Sequence, residues 1–99
     1  MKNFIRNVTF QIKPGQTAEF TRLFTDEILP AMKKQPGFRH DLAMTNPHSV
    51  VNLSMWQDQP SAEKWHTTAY PDAVKKLASV IEGTPRVESY ELAATTLTV

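Results

Sequence analysis

Hydrophobic and polar residues alternate near the start of the chain. Within residues 3–13, one set of apolar side chains lies at even-numbered positions: Phe4, Val8, Phe10 and Ile12. Polar side chains lie at the odd-numbered positions between them: Asn7, Thr9 and Gln11. A period of two is typical of a β-strand with one apolar face. The following Pro14-Gly15 pair predicts a turn that ends this strand.

The next segment has the spacing of an amphipathic helix. Its apolar residues recur three and four positions apart: Phe20, Leu23, Phe24, Ile28 and Met32. Thr17 is expected to cap the helix, and Glu19 suits its first turn. Pro30 should weaken the last turns, and Pro36-Gly37 should end the helix. We expect the apolar stripe to be core rather than a binding feature.

Two further strands are predicted to form a hairpin around the turn composition of residues 46–49. In residues 38–45, Phe38, His40, Leu42 and Met44 have the same phase. The partner strand, residues 50–57, is apolar on both faces, with Val51, Leu53 and Met55 on one side and Val50 and Trp56 on the other. A strand covered on both sides needs packing partners beyond its own helices.

Two helical pieces and an extended segment complete the chain. The first piece covers about residues 59–66, and the second begins near Pro71 and ends at Gly83 and Pro85. Residues 86–99 are expected to be extended. The order β-α-β-β-α-β, with the second helix broken, predicts one α+β domain over residues 1–99. Its fold would be ferredoxin-like, with a four-stranded antiparallel sheet and both helices on one face.

The predicted fold leaves one face of the sheet without helices. Val51, Leu53 and Met55 would lie there, and an exposed apolar patch of this size is unfavourable in a monomeric protein. Two sheets packed face to face in a two-fold dimer would cover the patch. The apolar tail, residues 93–99, could extend across that interface. We therefore expect a homodimer.

Composition narrows the class of protein. The chain has 99 residues, of which 40% are hydrophobic and 21% charged, as in ordinary globular proteins. A net charge of +1 argues against a dedicated nucleic-acid partner. No stretch approaches the ~20 apolar residues of a membrane span, and MKNFIRNVTF lacks the apolar run of a secretory signal. The absence of cysteine fits a reducing compartment, so we expect a cytoplasmic protein that binds neither nucleic acid nor membrane.

The usual catalytic motifs are absent, because the chain has no glycine-rich phosphate loop, no GxSxG and no HExxH. His40, His48 and His66 have no ligand spacing on a common element, so we expect no metal site. Residues 50–71 stand out instead. They contain both tryptophans, a tyrosine, a histidine and an amide.

This segment predicts a pocket beneath the broken second helix. Asn52 and Trp56 lie four residues apart on a strand and therefore share a sheet face. A polar amide on the helical face must find a partner or line a pocket. Trp65, His66 and Tyr70 would form the other wall. A purely structural interpretation stays open, in which Trp56 is a core anchor, Asn52 bonds to a neighbouring loop and His66 is exposed.

The segment VVNLSMWQDQPSAEKW resembles the antibiotic biosynthesis monooxygenase family of dimeric α/β-barrel proteins. The resemblance extends from the PG after the first strand, through the PGF before the second, to the closing VESYEL. Asn-x-x-x-Trp at the end of the third strand is its more particular feature. That motif resembles small cofactor-free monooxygenases that oxidise polyketide phenols to quinones. It implies that Asn52 and Trp56 line the substrate cavity.

The resemblance also implies roles for these side chains. Asn52 would donate to a developing oxyanion, and Trp56 would donate its indole N–H or stack on the substrate ring. Relatives often carry a second amide on the first strand, where Asn7 is nearby but has the wrong parity unless a bulge intervenes. Tyr70 or His66 would replace a tyrosine of the second helix, and His66 is the better proton acceptor. We predict catalytic Asn52, Trp56 and His66, and substrate-binding Trp65, Tyr70 and Asn7.

The family also includes haem-degrading enzymes, which need a histidine on the last helix. That ligand would fall near Lys75, and residues 71–83 contain no histidine, so we expect no haem and no other cofactor. Three functions stay open. They are a cofactor-independent monooxygenase acting on a small phenolic or quinol substrate, a non-catalytic protein that binds a small aromatic or isoprenoid ligand, and an isomerase or other enzyme of the wider superfamily.

Overall fold

The computed structural model describes residues 2–98. Its elements, in chain order, are β1 (Phe4–Ile12), α1 (Thr17–Leu23), a π-helical segment (Phe24–Ile28), α2 (Leu29–Lys33), β2 (Phe38–Thr45), β3 (Ser49–Trp56), α3 (Gln59–Thr68), α4 (Tyr70–Leu77) and β4 (Ile81–Glu91). The first three helical segments are continuous, whereas a break at Ala69 separates α3 from α4. The order β-α-β-β-α-β is confirmed.

The four strands form one antiparallel sheet in the order β2-β3-β1-β4. This is the ferredoxin-like arrangement, as predicted. The helices cover one face of the sheet, where ring contacts such as Phe10 to Phe20, 5.2 Å between centroids, join β1 to α1. Alternate residues of β1 from Arg6 onward are buried against the helices. The core therefore occupies a single layer between sheet and helices.

The first helical run, which consists of α1, the π-helical segment and α2, extends from Thr17 to Lys33 without a break. Its middle widens into the π-helical segment. Pro30 follows this segment directly. A proline ring lacks an N–H and crowds the carbonyl four residues earlier, here that of Asp26, and a π-helical turn relieves this crowding. The helix therefore widens before Pro30. Thr17 is the first helical residue rather than the cap, since Gln16 precedes it without a side-chain capping bond.

A bulge in β2 changes which side chains face the helices. Phe38 pairs with Trp56, but His40 pairs with Met55, so Arg39 is an extra residue in β2. Phe38 packs on the core, with its ring 5.5 Å from that of Trp56. His40, by contrast, lines the open side of the sheet. The predicted common phase from Phe38 to His40 is therefore wrong, because one added residue reverses the side-chain direction.

The last helix is shorter than predicted. It ends at Leu77, and β4 begins at Ile81, so Gly83 and Pro85 lie inside the strand instead of ending the helix. The register between β1 and β4 shifts between Thr9 and Gln11 of β1. Gly83 has φ +67°, a left-handed conformation that glycine adopts without strain. A bulge on an edge strand accommodates both residues.

After β4 the chain turns back over the open face of its own sheet. Leu92 N–H donates to the carbonyl of Asn3 over 2.8 Å, and His40 Nε2 donates to the carbonyl of Thr98 over 2.7 Å. Leu97 lies beside Leu42 on this face. The tail predicted to cross a dimer interface thus contacts its own subunit; Val99 is outside the described residues. Within residues 2–98, no helix is long and apolar enough to cross a bilayer.

Candidate functional site

A small cavity lies between the sheet and the helices. Most of its wall is apolar and comes from β1, the first helical run, α3 and α4, while four polar residues complete it: Arg6, Asn52, Ser54 and Tyr70. The cavity volume is about 10 Å³. That is room for roughly one water molecule. Side chains therefore nearly fill the cavity in this conformation.

Asn52 reaches this cavity from the helical face of β3 and is 3% exposed. Its Nδ2 donates to both carboxylate oxygens of Asp41, each over 2.9 Å, and to the carbonyl of Leu42 over 3.2 Å. Both amide hydrogens are therefore used. The Oδ1 atom is the end of the amide left for a ligand, so Asn52 is arranged to accept a hydrogen bond and not to donate one to an oxyanion.

Asp41 is the acidic partner of this amide. Burial raises the pKa of Asp41 to about 6, against the opposing effect of the hydrogen bond from Asn52. Near neutral pH the carboxylate is ionised and holds the Asn52 amide in one orientation. Sequence reasoning did not find Asp41. The β2 bulge turns it toward the helical face, and no local pattern predicts that bulge.

Arg6 was also missed, although the sequence carried a signal for it. Arg6 occupies the apolar parity of β1, between Phe4 and Val8, and only 2% of it is exposed. Its Nη2 donates to His66 Nδ1 over 3.1 Å, and its Cζ lies 4.7 Å from the centroid of the Tyr70 ring. Burial lowers the pKa of Arg6, but a guanidinium remains charged in proteins. A charged residue in an apolar series marks such a site.

His66 and Tyr70 stack on each other beside Arg6, with ring centroids 5.3 Å apart. Arginine can only donate, so His66 Nδ1 is the acceptor and its ring proton is on Nε2. Burial raises the pKa of Tyr70, while the charge of Arg6 opposes the rise. His66 is exposed on α3 and lines an outer groove of about 420 Å³, which Arg6 also lines. The Arg6–His66–Tyr70 cluster thus divides the inner cavity from this groove.

The sequence-predicted site residues are only partly brought together. Asn52, Trp65 and Tyr70 line the cavity, and His66 lies just outside it. Trp56 is fully buried and does not line the cavity. Its Nε1 donates to Ser54 Oγ over 2.9 Å, and its ring stacks on Trp65 with centroids 6.0 Å apart. Trp56 therefore has the position of the core anchor that the structural interpretation described.

Asn7 lies on the opposite face of the sheet from the cavity. It pairs in register with Leu53, which lines the open face, whereas its neighbours Arg6 and Val8 line the cavity. The bulge that could have turned Asn7 inward does not occur on this part of β1, where the pairing with β3 is regular. In residues 2–98, no three His, Asp or Glu side chains cluster closely enough to hold a metal ion together.

The chain is similar to known proteins in sequence and in fold. A sequence model of the family described as antibiotic biosynthesis monooxygenase matches residues 3–77. No curated protein matches the chain in sequence. A solved structure of a protein of unknown function from Nitrosomonas europaea superposes with a TM-score of 0.82 at 20% identity, covering 100% of this chain and 97% of that one.

Two Streptomyces structures are similar to a comparable degree. SnoaB from Streptomyces nogalater, a cofactor-independent oxygenase, has a TM-score of 0.80 at 17% identity over 97% of this chain and 98% of its own. A monooxygenase from Streptomyces coelicolor in complex with nanaomycin D has a TM-score of 0.79 at 19% identity over 99% of this chain and 94% of its own. At such identities these likenesses establish the fold, and the sequence match over residues 3–77 establishes the family. The chain belongs to the antibiotic biosynthesis monooxygenase family.

Proposed function

We propose that this protein is a cofactor-independent monooxygenase that oxidises a small phenolic or quinol substrate with dioxygen. The observation that supports it most is the set of four polar residues in the wall of a mainly apolar cavity, namely Arg6, Asn52, Ser54 and Tyr70. Apolar walls with a few placed polar groups are typical of small-molecule sites. The family and the fold shared with SnoaB, a cofactor-independent oxygenase, support the same chemistry.

The proposed reaction is balanced without an external reductant. A phenol with a free para position plus dioxygen yields a para-quinone plus water. One oxygen atom becomes the second carbonyl oxygen, and the other leaves as water. The substrate loses its hydroxyl and para hydrogens as protons and supplies all four electrons that reduce dioxygen. The protein has to bind the ring, stabilise the phenolate and exclude bulk water.

The side chains around the cavity suit these tasks. In the initial complex the free Oδ1 of Asn52 accepts a hydrogen bond from the substrate hydroxyl, and Trp65 packs against the ring. The hydroxyl then turns from Asn52 to give its proton to His66. His66 is the proposed proton acceptor. Its Nδ1 is held by Arg6 over 3.1 Å, so His66 can take a proton there only after Arg6 releases that atom. Entry of the substrate beside Arg6 and acceptance of its proton are therefore coupled.

The cavity must open before a substrate can enter. An apolar cavity of about 150 Å³ is large enough for benzene, whereas the inner cavity measures about 10 Å³. The outer groove of about 420 Å³ lies on the other side of Arg6, His66 and Tyr70. We propose that displacement of this cluster joins the groove to the cavity and provides the necessary room.

An oxygen electrode tests the proposed reaction directly. Purified protein is mixed with a panel of phenols and dihydroxynaphthalenes without added cofactor. We expect oxygen uptake above the protein-free rate for at least one compound, and Asn52→Ala should lower it at least about tenfold, because the substrate hydroxyl loses the acceptor that positions it. Gln11→Ala is the control, since it removes an exposed amide from β1. Circular dichroism checks that both variants fold.

A non-catalytic protein that binds a small aromatic ligand is the second candidate. The position of His66 favours it, because the proposed proton acceptor lies outside the cavity and its Nδ1 is occupied by Arg6. Saturable binding of a panel compound with no oxygen uptake from any compound would refute the monooxygenase and leave this alternative.

We also propose that the protein works as a homodimer through the open face of the sheet, in the reducing environment of the cytoplasm. Leu42 and Met44 on β2 are 53% and 47% exposed, and Tyr90 on β4 is 50% exposed. Burying such a face against a second copy is the usual solution in this architecture. Light scattering should give twice the mass of one chain, and a stable monomer at micromolar concentration would refute the dimer.

A further inference from the structure

Arg6 is a buried cation without an acidic partner. In the described part of the chain, no carboxylate lies within 4.0 Å of its guanidinium, and the ion pairs all belong to surface residues. Glu63, an acidic residue of the outer groove, instead accepts a hydrogen bond from Gln59 over 2.8 Å. An unpaired charge removed from water is strongly unfavourable unless a partner compensates it.

The neighbours of Arg6 hold its guanidinium in place without neutralising it. His66 occupies one N–H group, and the Tyr70 ring covers one face of the guanidinium. A guanidinium has five N–H donors, and its side-chain hydrogen bond in residues 2–98 uses one of them. Because Arg6 lines both the inner cavity and the outer groove, its remaining donors lie where the two spaces meet.

We propose that Arg6 binds a carboxylate carried by the substrate, which is therefore an aromatic acid and not a neutral phenol. This inference rests on the proposed function in taking the cavity as the substrate site. A planar guanidinium matches a carboxylate with two parallel hydrogen bonds. A phenol, with a pKa near 10, is largely uncharged at neutral pH and supplies no such partner.

Binding of the carboxylate also frees His66. As the guanidinium moves to pair with the carboxylate, its hydrogen bond from Nη2 to His66 Nδ1 is broken. His66 Nδ1 is then available to accept the proton of the substrate hydroxyl. The same movement opens the division between the groove and the inner cavity, so an acidic group on the substrate favours both its entry and its deprotonation.

A matched ligand pair tests the charge preference. Binding of 6-hydroxy-2-naphthoate and of 6-hydroxy-2-naphthamide is measured by titration calorimetry under nitrogen, so that no turnover is required. We expect wild-type protein to bind the acid about tenfold to a hundredfold more tightly than the amide, the usual range for a charge-assisted hydrogen-bonded pair. Arg6→Met should abolish the preference, and Arg6→Lys should retain part of it.

Arg39→Met is the control, because it removes an exposed arginine from the β2 bulge and should leave the preference unchanged. The urea midpoint of unliganded Arg6→Met should rise, since the variant removes an unpaired buried charge; a large fall would show that Arg6 is a structural residue. Equal affinity for both ligands in the wild type, no binding of the acid, or a preference that survives in Arg6→Met would overturn the carboxylate site.

Oxygen uptake separates the two proposals. A preference for the acid without any oxygen consumption would refute the monooxygenase and leave the carboxylate site standing. Oxygen consumption with neutral quinols at equal rates in wild type and Arg6→Met would refute the carboxylate site and leave the monooxygenase standing.

Discussion

Replacing Asp41 with asparagine should stabilise the protein at neutral pH. Asp41 is half-buried on the helical face of the sheet, and both of its oxygens accept from the Asn52 amide over 2.9 Å. Burial raises the pKa of this carboxyl from 3.8 to about 6. Asparagine has the same shape and keeps an oxygen that can accept from Asn52. The substitution therefore removes the desolvated charge and retains the contact.

The direction of the pH dependence follows from the raised pKa. Between about pH 4 and pH 6 the folded protein holds a proton on Asp41 that the unfolded chain has lost, so stability falls as pH rises through this window. A shift of about two pKa units corresponds to at most ~3 kcal/mol. Because the carboxylate retains contact with solvent, we expect Asp41→Asn to be more stable than wild type by about 1–2 kcal/mol at pH 8. The difference should vanish near pH 4.

Urea denaturation of wild type and Asp41→Asn from pH 4 to pH 8 measures this difference. Protein concentration is held constant, since dimerisation would couple stability to concentration. Asp26→Asn is the matched control, because it removes an exposed carboxylate from the first helical run and changes net charge equally. Parallel stability curves for Asp41→Asn and wild type, or a less stable variant at pH 8, would refute the reasoning.

Two further predictions concern the packing that supports the site. Gly37→Ala should lower the free energy of unfolding by about 2–5 kcal/mol. Gly37 has φ +85°, a left-handed conformation that strains an alanine, and the added Cβ would lie 2.7 Å from the Cβ of Ser61, so the site would also be overpacked. Gly15→Ala, with φ +75° and open space, should lose only about 1–2 kcal/mol, and equal losses in urea melts would contradict the clash. Trp56→Phe should cost about 1–3 kcal/mol by leaving Ser54 Oγ without its donor. Adding Ser54→Ala should recover part of that loss, and strictly additive effects in a double-mutant cycle would argue against the bond.

Much of the fold follows from patterns within single elements. The parity of β1 correctly placed Val8, Phe10 and Ile12 on the buried face, because successive side chains of a strand point to opposite sides whatever surrounds it. The spacing of the first helix likewise placed Phe20 and Met32 in the core. The element order then allowed few topologies other than the ferredoxin-like sheet.

The details of the candidate site depended on contacts between elements. One extra residue in β2 reversed the direction of the side chains that follow it and turned Asp41 toward Asn52. In β4, two extra residues opposite Thr9 to Gln11 formed a bulge that drew Gly83 into the strand without changing the side-chain direction beyond it. Local propensity does not predict such bulges, since register is set by the whole sheet and its packing.

Which polar groups face the cavity was decided by packing alone. The sequence determined that Asn52 and Trp56 share a face, but tertiary packing buried the indole of Trp56 against Trp65 and left Asn52 on the cavity. For Arg6, too, one property follows from the sequence and another from the tertiary structure. Its place in an apolar series is local information, whereas its lack of an acidic partner is a property of the folded protein, because counter-charges come from distant parts of the chain.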